Sequence, residues 1–255
     1  MTIVKKMELR FMREETDFQR YDAVQAALDQ RYVMKKWVNL VISMLIVVLG
    51  FTSFLYGLTL ESIRTIFRWL TVDGTLFTTI SAMLCIAVNL VEVLKNTEMT
   101  RRSAYYLRLS SAVAESVIFF VVLFSQLPIF PEHLPIFDRY DSFVMHILVP
   151  LLGIESFVIN DPSIGRLKPG QRWQGTWFVS YYAVNILTLI ATGLLPPELI
   201  PYPFLNYKEN GWGMFFAAFV FVYGVGYFMA WGISEANRKL SWLWFRNIAR
   251  DREEG

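Results

Sequence analysis

Three hydroxyl residues, Thr71, Thr75 and Thr78, recur in the run FRWLTVDGTLFTTI at spacings of four and seven, which puts them on one face of a helix. A threonine in a membrane helix usually returns its hydroxyl to the carbonyl one turn earlier, so structure is the default account of such a stripe. A hydroxyl becomes a nucleophile when a base takes its proton, and the chain has two histidines, His133 and His146. His133, in the proline-rich stretch PIFPEHLPIF, reads as a solvated loop residue. His146, in MHILVPLL, either bonds a neighbouring backbone or hydroxyl group or acts as a general base. Thr71 with His146 is the minimum equipment for acyl transfer at a lipid ester or amide.

The elements that must position this pair are written in the hydropathy. Of 255 residues, 55% are hydrophobic and 18% charged, against about a quarter charged in water-soluble chains. A bilayer core of ~30 Å asks for roughly 20 mainly apolar residues per helix, and six blocks meet that demand. They are residues 37–58, 72–94, 105–127, 142–159, 175–195 and 212–233. The expected fold is all-α, a polytopic membrane protein with six transmembrane helices. Of the 24 lysines and arginines, only Arg64, Arg68, Arg139 and Lys208 fall on one side of this arrangement, so both termini are expected to be cytoplasmic. Trp37, Trp69, Trp173, Trp177, Trp212 and Trp231 cluster near the span ends, where indole rings prefer the headgroup level. The organisation is therefore a cytoplasmic amino-terminal helix or cap over 1–36, a membrane domain over 37–233, and a cytoplasmic tail over 234–255. Within the tail, 239–250 mixes aromatic and basic residues and suits either a helix on the inner leaflet or a frayed solvated end.

With this topology the second and fourth spans both begin at the outer face, so Thr71 and His146 share a leaflet, each within about two turns of its helix start. Candidates to orient the imidazole or line a pocket are Asp73, Thr75, Asp141, Tyr202 and Asn206, although Asp73 sits ~200° around the helix from Thr71. Deeper in the bundle lie Glu92, Glu115 and Glu155 with Asn89 and Asn185. Charges in hydrocarbon cost roughly 2.5–3.5 kcal/mol each on insertion scales and so face the interior. These acids read as a structural network, paired with Lys95 and Arg108 or held protonated. In the alternative they form the polar route of a non-enzymatic transporter, channel or scaffold.

Composition narrows the chemistry further. One cysteine permits no intrachain disulfide or cysteine zinc cluster, and two histidines cannot build a three-histidine metal site. No Walker loop, GxGxxG, GxSxG or HExxH is present, so no metal or cofactor is expected. A net charge of +2 argues against nucleic acid and leaves membrane lipids as the natural partners. Oligomeric state is open, because the small-residue pair Gly226 and Ala230 suits helix contact within the chain or between chains.

Four segments in order, FRWLTVDGTL, MHILVPLLGIESFVINDP, GRLKPG and PYPFLN, resemble the androgen-induced protein family of six-span membrane proteins and its bacterial relatives. They extend from the second span to the sixth. The resemblance implies an intramembrane threonine hydrolase acting on a lipid or fatty-acyl ester, such as an ester of a hydroxy fatty acid. It implies Thr71, in WLT, as nucleophile and His146, in HxxVP, as its partner, and an integral protein of a bacterial cytoplasmic membrane. The chain departs from the bacterial relatives at Gly74 and Thr75, where a Ser-Asn pair is common. A more distant relative, a phospholipid acyltransferase, uses cysteine with histidine, but Cys85 does not match that position and lies too deep in its span.

Overall fold

The computed structural model describes residues 30–95, 102–123, 138–161, 163–200, 202 and 205–254. His133 and most of the amino-terminal cap lie outside them. The principal helices are α1 (Gln30–Leu60), α2 (Leu70–Lys95), α3 (Arg102–Val121), α4 (Tyr140–Asn160), α5 (Trp177–Ala191) and α6 (Tyr207–Glu254). Among the described residues there is no strand. Five helices, all but α5, are long and apolar enough to cross a membrane. The block expected at 175–195 is helical, but α5 holds only 15 residues, about 22 Å at 1.5 Å per residue. A 3-10 turn at Trp173–Thr176 leads directly into it and adds about 8 Å at the steeper 3-10 rise.

Neighbouring helices run in alternate directions, so the bundle has a Thr71 end and a Lys95 end. At the Lys95 end, the start of α1 meets the far part of α6, with Lys35 Nζ 4.9 Å above the Trp244 ring. The segment after Ile233 is a continuation of α6 rather than a separate tail element. Gly211, at φ 75° and ψ 161°, breaks α6 just after its first turn, in a positive-φ conformation that glycine adopts without a Cβ clash.

Leu109, Val113, Ile118, Phe157, Phe178, Ile186 and Phe215 are fully or almost fully buried and join α3, α4, α5 and α6 in one apolar core. Outward faces carry Leu45, Val48, Leu84, Val220 and Phe221, each about half exposed or more, as helices packed in lipid require. Small residues set the closest approaches. A Cβ on Gly50 of α1 would sit 2.0 Å from Thr79 Oγ1 of α2, and one on Gly175 would sit 2.8 Å from Ala230 Cβ of α6. Gly226 faces Thr176 and Val179, so the Gly226 and Ala230 spacing serves contact within the chain.

Candidate functional site

Thr71 is the second residue of α2, and a short loop after the single turn Ile63–Ile66 aims this helix start at α4. His146 lies inside α4 in a widened π-turn, Val144–Leu148. Pro150 follows one turn later and lacks the N–H that would bond the carbonyl of His146, so a regular helix cannot run through this point and the backbone widens just before it. The two side chains meet directly, with Thr71 Oγ1 3.2 Å from His146 Nε2.

The other ring nitrogen fixes the proton inventory. His146 Nδ1 is 2.7 Å from the Ser142 carbonyl oxygen and 3.2 Å from Ser142 Oγ. A carbonyl only accepts, so Nδ1 carries the proton and donates it there. Nε2 is then the bare lone pair and accepts the Thr71 hydroxyl. The orienting group is thus a backbone carbonyl, which no side-chain pattern in the sequence signals.

The remaining candidates divide sharply. Tyr202 is 7% exposed, and its hydroxyl hydrogen-bonds the Thr71 side chain. Burial pushes its phenol up to about 12, so it keeps its proton as a donor. Trp69 meets the Tyr202 ring edge-on at 6.2 Å and is itself tied by Nε1 to Glu61 at 2.8 Å. Asp141 does not orient the imidazole, because Arg139 grips both its carboxylate oxygens at 3.2 and 2.7 Å. Asp73 points away from Thr71, as its helical angle requires, and accepts from Asn185 Nδ2 at 2.9 Å. Asn185 also donates to the Phe67 carbonyl at 3.0 Å and so clamps α5 to the approach of α2. Asn206 serves the first turn of α6, where its Oδ1 accepts from the Lys208 amide at 3.2 Å. Thr75 is fully buried one turn below Thr71, and its carbonyl accepts the Thr79 hydroxyl.

The deep acids sit mostly at the Lys95 end, with partners other than those expected. Glu92 pairs with Lys36 of α1 at 2.5 Å, while Lys95 is exposed. Arg108 pairs with Asp161 at 2.9 Å and donates to Ser156 Oγ at 2.6 Å. Asn39 Nδ2 donates to Asp161 at 2.9 Å, and Ser156 donates to Asn39 Oδ1 at 2.6 Å, closing a network across α1, α3 and α4. Asn237 of α6 joins it through the Asp161 carbonyl at 2.7 Å. Lys36, Asn39, Ser156, Asp161 and Asn237 are not legible as a set, because they come from three segments far apart in the chain. Glu155 is half-buried and accepts from Asn160 at 3.1 Å. Glu115 is fully buried at mid-helix against Thr78 and Gly153.

Among the described residues no group of three or more His, Cys, Asp or Glu side chains is placed to hold a metal ion. No protein-family model, curated protein or solved structure matches the chain.

Proposed function

We propose that the protein is an intramembrane hydrolase of lipid esters, with Thr71 as nucleophile and His146 as general base. The reading rests on the Thr71 to His146 hydrogen bond, with the imidazole proton committed to the Ser142 carbonyl. As Thr71 Oγ1 bonds to the ester carbonyl carbon, His146 Nε2 takes its proton and the carbonyl oxygen gains negative charge. The carbon to leaving-oxygen bond then breaks, and the imidazolium returns the proton to the departing alcohol. Water attacks the resulting threonine ester, with His146 taking a proton from it. Release of the fatty acid restores the Thr71 hydroxyl. The Tyr202 phenol and the Thr71 and Val72 N–H groups, in the first turn of α2 where no carbonyl of the helix reaches them, are the donors best placed for the oxyanion, since the Asp73 N–H is taken by the Trp69 carbonyl. The resemblance to the threonine hydrolases of the androgen-induced protein family points the same way.

In this reading all six helices cross the membrane, with the 3-10 turn completing the fifth, and both termini face the cytoplasm. The Thr71 to His146 pair then lies in the outer leaflet of a bacterial cytoplasmic membrane. The polar-route alternative has less support, because Glu92 and Glu155 are held by Lys36 and Asn160. Purified protein in nanodiscs should react with a fluorophosphonate probe and release fatty acid from a lipid ester, both lost in Thr71→Ala. Full hydrolysis in that variant defeats the proposal. For the topology, Lys208→Cys and Arg252→Cys, each in a Cys85→Ala background, should label from opposite faces.

A further inference from the structure

A second feature lies at the other end of the bundle. A cavity of about 260 Å³ opens between α2 and α3, lined by Ser81, Leu84, Cys85, Val88, Asn89 and Glu92 from α2 and by residues 103–105, 107 and 108 from α3. Lys36 and Asp161 close its floor. Cys85 is about 21 Å along α2 from Thr71, so the cavity is separate from the Thr71 site.

The walls and floor differ in character. Leu84 is 50% exposed, and Val88, Ala104 and Leu107 are half-buried, so apart from the exposed Ser103 the mouth is apolar and faces the surface that lipid covers. The floor is polar and buried. Lys36 and Arg108 stand there with their acids Glu92 and Asp161, which leaves no net charge. Arg108 has five N–H donors, of which Asp161 and Ser156 engage two, so a guanidinium lining the cavity retains donors. Asn39 and Asn89 amides point at Cys85 Sγ from 3.5 and 3.3 Å. Ser81 Oγ is fully buried with no hydrogen-bond partner among the described residues, and Ser81 lines the cavity. A buried hydroxyl of that kind calls for an acceptor or donor from a ligand.

An apolar mouth at membrane depth with a donor-rich floor fits an acyl chain that ends in a hydrogen-bonding head. The volume falls just below the roughly 300 Å³ at which sites for drug-sized ligands begin, so it suits one chain rather than a two-chain lipid. We propose that this cavity is a binding site for a free fatty acid, with its carboxyl group against Arg108 and Ser81 and its chain leaving past Leu84 and Val88. The site does not depend on catalysis at Thr71.

The only cysteine of the chain lines the cavity, so it reports occupancy. In full-length protein in nanodiscs, palmitic acid at about four times its Kd should slow modification of Cys85 by a membrane-permeant maleimide about fivefold, because only the empty fraction reacts. A diazirine-bearing palmitic acid should crosslink to residues 81–89 or 103–108. Leu84→Trp, at the exposed rim, should cut that crosslink severalfold, whereas Leu90→Trp, elsewhere on α2, should not, and Thr71→Ala should leave it unchanged. Absence of protection overturns the proposal, as does an adduct spread evenly over lipid-facing helices. Equal capture by a diazirine phosphatidylcholine overturns the fatty-acid assignment.

Discussion

Thr71 Oγ1 and His146 Nε2 lie 3.2 Å apart although 75 residues separate them in the chain. The contact exists because α2 and α4 both begin at the same end of the bundle, and because the π-turn before Pro150 carries the imidazole to the start of α2. It is a direct hydrogen bond between the two side chains.

If this pair acts as a unit, Thr71→Ala and His146→Ala should each remove most lipid-ester hydrolysis, and the double variant should be little worse than either, since members of a catalytic unit are non-additive. Thr75→Ala, one turn deeper, should do much less. Fatty-acid release by the three variants, with folding monitored by thermal unfolding, checks this.

The orienting role of a backbone carbonyl makes an unusual demand. Neither Ser142→Ala nor Asp141→Asn should abolish activity, because Nδ1 donates to the Ser142 main chain and Asp141 is occupied by Arg139. A loss as deep as that of His146→Ala in either variant would show that a side chain orients the ring.

Tyr202→Phe removes one donor beside the reacting oxygen while keeping the ring against Trp69. The loss of one such donor typically costs on the order of 100-fold in kcat, with KM little changed. An unchanged kcat would assign Tyr202 to packing alone.

Close helix contacts predict stability. Gly50→Ala should destabilise by roughly 1–3 kcal/mol, because its Cβ would meet a Thr79 hydroxyl already bonded to the Thr75 carbonyl at 2.7 Å. Gly224→Ala, with nothing within 4 Å, should be neutral or slightly stabilising. Thermal unfolding in one detergent compares the two directly.

The Arg108 to Asp161 pair should behave as buried ion pairs do. Asp161→Asn alone strands a guanidinium and should cost about 3–5 kcal/mol, whereas replacing both residues with apolar ones should cost less. Unfolding of the single and double variants distinguishes a required charge pair from simple packing.

Hydropathy and depth were legible in the sequence because both are sums over neighbouring residues: an apolar block near 20 residues reports a helix long enough to cross a bilayer wherever that helix packs. Six such blocks stand out in the sequence, five of them form helices long and apolar enough to cross a membrane, and counting turns from each helix start brings Thr71 and His146 to one level. Rotation about each helix axis and the choice of partner were decided only by tertiary packing. Glu92 took Lys36 rather than Lys95, Asp73 took Asn185 rather than the imidazole, and the ring found the Ser142 carbonyl. These outcomes depend on which faces close at Gly50, Gly153 and Gly175, where contacts span residues distant in the chain. The shortened α5 has the same origin, since its entry is a 3-10 turn packed against Ala230 through Gly175. Periodicity can place a residue on a helix and at a depth, but the partner across the interface is set by the whole bundle.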